Sequence, residues 1–522
     1  MTAEPSLASG HAVATPHYLA SAAASSLMER GGTAVDGAIA AAAVLAVVYP
    51  NQCAIGGDVI ALLAEPGSAP VAVNGSGRAP HAIDVELVRR TSGQHMPWYG
   101  VHSITVPGAV SAWQELHRRG GRLPWADLLE PAIGAASQGV PVSPGLSRAL
   151  RAEARRLLDD PGLASVFAPD GRVLVVGQNL VQPALARTLA VLAASGPAAL
   201  YEGEIGGAMV SGLRSRGCSL SVDDLAQHIC DVQPSMSTGW GAERIHVAPP
   251  NSQGFVLLQI LGALRRSGDL DPLGKDADVL TRLFAATAAD RDRHLSDPLW
   301  GEVPVDELLS DAHLDRLVRD AGTGASRPGK PSPQPTGDTV AVVTADAEGR
   351  FVSLIESVYM AFGSGILEPQ TGILLHDRGA GFSLDPSSPN VLRGGARPAH
   401  TLMPVLVSRD GVVVGAHGTR GGSAQPQIHA QVLLRMQQGM RPSDAVAAPR
   451  WVLSPLDDEG LNDDLLVEAD LSPKALRALG QAGHVVHHLE ARHDAVGHAM
   501  VVRATPTGLA AGSDPRADGA TP

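Results

Sequence analysis

Residues 336–357 read Thr-Gly-Asp-Thr-Val-Ala-Val-Val-Thr-Ala-Asp-Ala-Glu-Gly-Arg-Phe-Val-Ser-Leu-Ile-Glu-Ser. They follow a segment, residues 321–338, that contains four Gly and four Pro, more than a packed helix or a central strand tolerates. From Thr339 onward the residues are β-branched or small, which is typical of a strand buried on both faces. A flexible tether that enters a buried strand directly is explained if the chain is cut between Asp338 and Thr339. Thr339 would then be a new N-terminus.

The same stretch predicts a β-hairpin. Residues 339–345 and 351–357 form its two strands, and Gly349 supplies the positive φ that the connection needs. Folding back across this turn places Thr339 opposite Glu356 or Ser357.

Apolar periodicity elsewhere in the chain predicts a mixture of strands and helices. The predicted strands are 59–64, 71–73, 103–110, 244–248, 372–375, 402–408, 412–416, 465–467 and 499–502. The predicted helices include 34–48, 146–158, 255–264, 425–438 and 472–482. Strands between helix layers give an α/β (α+β) fold of the αββα type.

Composition excludes several classes of protein. The 522 residues carry 40 Lys and Arg against 53 Asp and Glu, a net charge of −13, which argues against a nucleic-acid or anionic-membrane surface. The N-terminus lacks the basic and apolar segments of a secretory signal, and the most apolar run, 34–48, is too short to span a bilayer. We therefore expect a cytoplasmic protein.

No His, Cys or acidic spacing fits a metal site, so neither metal nor cofactor is predicted.

The proposed new N-terminus would carry its own general base. A threonine hydroxyl is a weak nucleophile, and a free α-amine with an ordinary pKa of about 7.7–8.0 can accept its proton. Catalysis also needs donors for the oxyanion. Gly421 and Gly422 offer consecutive backbone N–H groups in front of a predicted helix, although a simple tight turn has the same sequence.

Ordered blocks along nearly the whole chain resemble one family, the gamma-glutamyltransferase family of N-terminal-nucleophile hydrolases. The matching blocks include Gly31-Gly32-Thr33-Ala34-Val35-Asp36-Gly37, Ile55-Gly56-Gly57-Asp58, Thr105-Val106-Pro107-Gly108-Ala109-Val110, Leu128-Leu129-Glu130-Pro131-Ala132, Pro249-Pro250-Asn251-Ser252-Gln253-Gly254, Phe362-Gly363-Ser364-Gly365, Gly372-Ile373-Leu374-Leu375, Gly421-Gly422-Ser423 and Ser513-Asp514-Pro515-Arg516. The resemblance implies a proenzyme that cuts itself between Asp338 and Thr339.

The resemblance also assigns roles and partners. It makes Thr339 the nucleophile of self-cleavage and of turnover, Gly421 and Gly422 the oxyanion hole, and Ser357 a hydroxyl that hydrogen-bonds the nucleophile. It implies a large chain, 1–338, ending in the tether 321–338, and a small chain, 339–522. The two would form a heterodimer, which could dimerise further, and would act on a small-molecule amide.

Several positions depart from the family pattern for γ-glutamyl substrates. Val340 stands where transpeptidases usually have a second threonine. Ser76 stands at the arginine that binds the glutamyl α-carboxylate, and Gly381 at the acid that receives the α-amino group. His400-Thr401 replaces a pair of serines. These changes indicate the divergent acylase-like branch, which also resembles oxamate-type amidohydrolases and cephalosporin-acylase-like proteins.

The substrate pocket is therefore predicted from the residues that replace the usual contacts. Arg78, two residues beyond Ser76, is either a surface arginine or a carboxylate clamp, because guanidinium offers a bidentate fork. His400, Thr401 and Tyr359 are the other candidate substrate contacts.

Three functional hypotheses remain open from the sequence. The first is a self-processed threonine amidohydrolase, or acylase, for a small amide whose acyl part could bear a carboxylate. The second is a true γ-glutamyl transferase or glutathione hydrolase. The third is an uncleaved relative with a binding or structural role.

Overall fold

Two six-stranded sheets lie face to face in the computed structural model, which describes residues 10–323, 338–453, 464–482 and 484–519. The strands are β1 Ala12–Ala14, β2 Asp58–Ala64, β3 Val71–Asn74, β4 Val140–Pro141, β5 Asn179–Leu180, β6 Asp231–Pro234, β7 Met236–Trp240, β8 Glu243–Val247, β9 Asp338–Ala345, β10 Phe351–Tyr359, β11 Ile366–Glu368, β12 Ile373–Leu375, β13 Val405–Arg409, β14 Val412–Arg420, β15 Trp451–Leu453, β16 Asp464–Glu468, β17 Val485–Leu489, β18 His498–Thr505 and β19 Gly508–Ser513. The first sheet has the order β1-β9-β10-β2-β3-β6, and the second has the order β19-β18-β14-β13-β8-β7.

Helices cover the outer face of each sheet. They are α1 Tyr18–Glu29, α2 Ala34–Val48, α3 Val85–Ser92, α4 Ala109–Gly120, α5 Trp125–Gln138, α6 Pro144–Ala152, α7 Ala154–Asp159, α8 Pro161–Phe167, α9 Pro183–Ser195, α10 Ala198–Tyr201, α11 Glu204–Ser215, α12 Val222–Ala226, α13 Gly254–Arg266, α14 Ala277–His294, α15 Val305–Leu308, α16 Asp311–Thr323, α17 Gln425–Gln437, α18 Pro442–Ala447 and α19 Pro473–Gln481. Helices α2 and α4 pack on the first sheet, while α13 and α17 pack on the second. The αββα prediction is confirmed.

Helix α2 shows how the sequence builds the layer behind β9. Thr33 caps it and Asp36 completes a capping box, so two otherwise unpaired backbone donors are satisfied at its start. Every residue of α2 is buried, and most are Ala or Val. Side chains this small let the helix axis lie close against β9 and β10. The predicted bounds, 34–48, are those observed.

The two sheets meet across a thin apolar layer. Ala341 and Val343 of β9 face Leu406 and Ala416 of the second sheet in one buried cluster. Gly418 of β14 has no room for a side chain, because a Cβ there would lie 2.8 Å from the Cβ of Ala341. This close approach places the end of β14 beside the start of β9.

The hairpin prediction is confirmed, with one irregularity at its open end. Glu356 pairs with Val340, but the next pair is Tyr359 with Asp338, so the ladder shifts by a bulge. Tyr359 has φ +77°, an unusual conformation for a residue with a side chain. The bulge turns Ser357 and Tyr359 toward the Asp338–Thr339 junction.

Two local predictions were wrong. Residues 103–110 form no strand, because the N–H of Val106 bonds the carbonyl of Arg78 and that of Gly108 bonds Gly57, after which α4 begins at Ala109. The helix predicted over 146–158 is two helices, α6 and α7, which meet at Glu153.

Both ends of the predicted tether 321–338 belong to regular elements. Helix α16 continues through Thr323, and β9 already begins at Asp338. Residues 324–337 lie outside the described residues, so the division into chains 1–338 and 339–522 stays a prediction.

Within the described parts of the chain, no single helix is both long and apolar enough to cross a membrane. One pair, Pro183–Ser195 with Ala198–Ser215, meets the length and composition test only when joined, and it is bent by 116°.

Candidate active site

The Asp338–Thr339 junction lies at the first residues of β9, between β1 and β10, in the uncut chain. Thr339 is 1% exposed and Asp338 is 7% exposed. A hydroxyl nucleophile at this position is therefore enclosed by the two sheets, where hydrogen bonds act in a low dielectric.

Ser357 makes three hydrogen bonds at this junction. The Thr339 hydroxyl donates to Ser357 Oγ over 3.2 Å, and the Tyr359 N–H donates to the same oxygen over 2.8 Å. Ser357 Oγ donates in turn to the carbonyl oxygen of Asp338 over 2.5 Å. One hydroxyl thus orients the Thr339 side chain and polarises the carbonyl of the bond between Asp338 and Thr339.

Arg420, the last residue of β14, fixes the side chain that precedes this bond. Its guanidinium lies 2.6 Å from the carboxylate of Asp338 and 2.8 Å from that of Asp494. Burial raises the pKa of the Asp338 carboxyl, and the Arg420 charge offsets part of that shift. Because Gly421 and Gly422 follow Arg420 directly in the chain, the Arg420–Asp338 ion pair brings both glycines close to the bond between Asp338 and Thr339.

Gly421 has φ +152° and Gly422 has φ +53°, and the chain then enters a 3₁₀ turn, Gly422–Ala424, and helix α17. A Cβ at Gly421 would lie 2.5 Å from Cδ1 of Ile428. The backbone conformation thus favours glycine at this turn, while the contact with the end of the Ile428 side chain is relieved when that side chain moves. The predicted arrangement of two glycines ahead of a helix is the one observed.

Gln253 ties this turn to the other side of the site. Its amide donates to the carbonyl of Gly422 over 2.9 Å and to the carbonyl of Thr401 over 2.8 Å. Arg291 donates to the Gln253 side-chain oxygen and to the carbonyl of Ser423. Gln253 precedes α13, and its N-cap position leaves its side chain free for these bonds.

Tyr359 and Thr401 meet at Arg378. The guanidinium carbon of Arg378 lies 3.6 Å from the centroid of the Tyr359 ring, and its Nη1 donates to the Thr401 hydroxyl over 3.3 Å. Arg378 begins a 3₁₀ turn that ends at Gly381 and is 2% exposed. Two predicted substrate contacts, Tyr359 and Thr401, therefore share a buried arginine that the sequence reasoning missed.

His400 is occupied by protein partners. Its Nε2 lies 3.1 Å from a carboxylate oxygen of Asp58, and its Nδ1 accepts from the N–H of Leu402. His376 also lies 3.4 Å from Asp58. Burial lowers the pKa of His400 to about 4, so the ring is neutral at pH 7. Burial alone would raise the pKa of Asp58, but His376 and His400 hold it well below its ordinary value.

Arg78 is paired outside this group. Its Nη1 donates to Asp297 over 2.9 Å and to the carbonyl of Gly395 over 3.0 Å. The Asp297 carboxylate therefore compensates the Arg78 charge, which a carboxylate clamp would need for the substrate.

The structure thus brings together Thr339, Ser357, Tyr359, Thr401, Gly421 and Gly422, and places Arg78 in a separate ion pair. It adds Arg378, Arg420 and Gln253. Gln253 lay in a block that matched the family, which was a usable signal. Arg378 had a weaker one, the Asp-Arg-Gly-Ala-Gly run that ends at Gly381.

Known proteins resemble this chain along nearly its whole length. The profile described as gamma-glutamyltranspeptidase matches residues 20–521. A glutathione hydrolase-like proenzyme of Bacillus subtilis (strain 168) is 36% identical over 97% of each chain, and an oxamate amidohydrolase proenzyme of Klebsiella pneumoniae is 35% identical over 98% of each. The crystal structure of a cephalosporin acylase from Bacillus halodurans is similar, with a TM-score of 0.91 at 33% identity, covering 100% of this chain and 97% of that one.

The chain belongs to the gamma-glutamyltranspeptidase family. Its fold is that of the N-terminal-nucleophile hydrolases, and it is an enzyme of that hydrolase and transferase class. The resemblance stated from the sequence is confirmed, and the hypothesis of a non-enzymatic relative is set aside.

Proposed function

We propose that this chain is a self-processing amidohydrolase in which Thr339 is the nucleophile. The observation that carries the proposal is the hydroxyl pair at the start of β9. Thr339 Oγ1 is hydrogen-bonded to Ser357, and Ser357 donates to the carbonyl of Asp338.

Self-processing would begin with attack of Thr339 Oγ1 on the carbonyl carbon of Asp338. The C–N bond between the two residues breaks as the ester to Oγ1 forms, and the proton of the hydroxyl goes to the nitrogen. Water then hydrolyses the ester, which releases the Asp338 carboxylate and leaves Thr339 with a free hydroxyl and a free α-amine. That amine can serve as general base in later turnovers.

Turnover would repeat the same chemistry on an external amide. Thr339 Oγ1 attacks the amide carbonyl, the amine departs with a proton, and water releases the acid from the acyl-enzyme. The backbone N–H groups of Gly421 and Gly422 are proposed to stabilise the oxyanion, and each well-placed donor contributes about 10²–10³ in rate.

The two chains produced by the cut would stay together. Strand β9 pairs with β1, and β10 pairs with β2, so the first sheet contains strands from both sides of the junction. The second sheet is likewise shared, because β13 pairs with β8. A heterodimer of 1–338 and 339–522 would retain these ladders and the apolar layer between the sheets.

Intact mass spectrometry tests the proposal. Purified wild-type protein is expected as two chains, the smaller one beginning at Thr339, and Thr339→Ala as a single chain of 53.7 kDa. Thr339→Ser, which keeps a hydroxyl, is the matched control and should still be cut. A wild-type protein that stays in one piece, or a cut in Thr339→Ala, would refute the assignment of Thr339.

A second candidate is γ-glutamyl transfer or glutathione hydrolysis, which the name of the Bacillus subtilis relative favours. Release of p-nitroaniline from a γ-glutamyl p-nitroanilide, accelerated by a dipeptide acceptor, would support it. The absence of γ-glutamyl turnover by fully processed protein that hydrolyses other amides would favour the first candidate.

A further inference from the structure

A cavity of about 320 Å³ borders the junction on its Asp338 side. Asp338, Arg420 and Asp494 line one part of it, and helix α6 and the residues just after α2 line much of the rest. None of the four predicted substrate contacts belongs to its lining. The function proposed above uses only the backbone bond at the border of this cavity and gives the cavity itself no role.

The uncut chain already holds a carboxylate in this cavity. Nη2 of Arg420 lies 2.6 Å from the carboxylate of Asp338, whereas Asp494 is paired with the other terminal nitrogen, Nη1, at 2.8 Å. The side chains of Asp338 and Arg420 are only 10% and 13% exposed, so water screens their attraction weakly. If the Asp338 carboxylate left, Nη2 would be freed while Asp494 still held the guanidinium in place.

Two buried amides in the same cavity lack partners. The side-chain oxygens of Asn51 and Gln52 are buried without a hydrogen bond among the described residues. Their backbones are fixed, because the carbonyl of Gln52 accepts from the N–H of Val358 and that of Asn51 accepts from the N–H of Phe362. Buried polar groups are normally paired, and an amide can both donate and accept. These two side chains therefore point to a polar ligand beside Arg420.

The other charged groups around the cavity do not compete for Arg420. Glu153 pairs with Arg156 at 3.0 Å, and Asp518, which is not part of the lining, accepts from the Tyr49 hydroxyl over 2.7 Å. Arg148 lines the cavity, is exposed, and forms no ion pair within the part of the chain that the structure describes. Departure of Asp338 would thus remove a negative charge from a cavity that keeps both of its arginines.

We propose that this cavity binds the carboxylate of a small molecule, that the uncut chain fills the site with the Asp338 side chain, and that self-cleavage opens it. Before the cut, Asp338 is held in the β9–β10 ladder opposite Tyr359. After the cut it would be a chain end joined to α16 through residues 324–337, and an incoming carboxylate would compete with it for Arg420. The opening step rests on the proposed function, whereas the site itself is present in the uncut chain.

Binding of 4-aminobenzoate to uncut variants tests the site. Thr339→Ala, which keeps Asp338 in place, should bind this carboxylate weakly in calorimetry. The double variant Asp338→Ala/Thr339→Ala empties the site without a cut and should bind it at least about 10-fold more tightly. Methyl 4-aminobenzoate, a neutral control of nearly the same shape, should bind both variants equally. Equal affinities of 4-aminobenzoate for the two variants would refute the site.

Arg420→Gln, added to the double variant, should weaken binding of 4-aminobenzoate at least about 10-fold. Arg409→Gln is the matched control, because Arg409 ends β13 as Arg420 ends β14 and also has a carboxylate partner, Glu243 at 2.7 Å. It should leave the affinity unchanged. If the variant with Arg420→Gln does not fold, Gln52→Leu in the same background removes an amide from the cavity and should weaken binding about 10-fold. Unchanged affinity in either variant would contradict the assignment.

Two amides of one acyl group distinguish the sources of the carboxylate. Their amine halves are 4-aminobenzoate and its methyl ester. A kcat/KM at least about 10-fold higher for the acid would place the carboxylate on the substrate. Equal kcat/KM values, with inhibition of both reactions by 4-aminobenzoate, would assign it to a separate molecule.

Failure of this inference is distinguishable from failure of the proposed function, because the calorimetric measurements use uncut protein. Tight binding by the double variant, in a protein that neither cuts itself nor hydrolyses an amide, would retain the site and refute the proposed function. Processed wild-type protein that binds 4-aminobenzoate no more tightly than Thr339→Ala would refute the opening of the site by cleavage and leave the hydrolase proposal standing.

Discussion

Replacing Ser357 by alanine should separate self-processing from turnover. Ser357 Oγ donates to the Asp338 carbonyl over 2.5 Å, and that oxygen would carry the negative charge when Thr339 attacks. Removing one donor to a developing oxyanion costs about 10²–10³ in rate. The processing rate of Ser357→Ala should therefore fall by about that factor.

Turnover should suffer less, because Asp338 no longer takes part once the chain is cut. The processed variant loses the hydrogen bond from Thr339 and leaves the Tyr359 N–H without its acceptor. A single net hydrogen bond contributes about 0.5–1.5 kcal/mol, which corresponds to a fall in kcat/KM of about 10-fold or less.

The processing rate is measured as the loss of uncut chain, by intact mass spectrometry, after a pulse of expression. Turnover is measured as the rate of amide hydrolysis per molecule of cut chain. Ser357→Thr keeps a hydroxyl on the same carbon and should restore much of the processing rate. Processing of Ser357→Ala within a few-fold of wild type would refute this role of the Ser357 hydroxyl, as would a loss of turnover as large as the loss of processing.

Three further predictions concern the surroundings of the junction. Arg420→Ala leaves the buried carboxylate of Asp338 without its nearest cation, so the rate of self-processing, measured by gel electrophoresis, should fall by about 10-fold or more. Processing at the wild-type rate would contradict the role of this ion pair. Gln253→Leu removes the hydrogen bond to the carbonyl of Gly422 and should lower kcat by about 10-fold with KM little changed. An effect on KM alone would argue against a role of Gln253 in positioning the oxyanion hole. Burial raises the pKa of Glu356 well above its ordinary value of 4.5, so its contribution to stability is present below pH 4.5 and is lost as the pH rises. Glu356→Gln should therefore raise Tm more at pH 8 than at pH 5. An equal change in Tm at both pH values would show that the carboxyl is not protonated in the folded protein.

Local patterns predicted the parts of the fold that depend on near neighbours. The bounds of α2 follow from the Thr33 cap and an unbroken apolar run. The hairpin follows from period-two strands and one glycine turn, which brought Ser357 to Thr339 within the expected register. Where the pattern failed, at residues 103–110, the backbone bonds were made to the distant carbonyls of Arg78 and Gly57, which no local signal reveals.

The partners of the candidate substrate contacts were not predictable, for the same reason. His400 was expected to contact substrate, but its ring bonds Asp58, which lies 342 residues away in the chain. Arg78, for which the sequence left a surface position or a carboxylate clamp open, is paired with Asp297, 219 residues away.

The sequence by itself determined the αββα fold and the family, because both depend on composition, periodicity and ordered motifs; the cut between Asp338 and Thr339 stays a prediction. Only the tertiary structure decided which partner each charged side chain has. Arg78 and Arg378 are the same residue type in similar glycine-rich runs, yet Arg78 forms an ion pair with Asp297 and Arg378 stacks on the Tyr359 ring. The net charge available to a substrate depends on these long-range neighbours, since pairing and burial, not residue type, set the cost of leaving a charge alone.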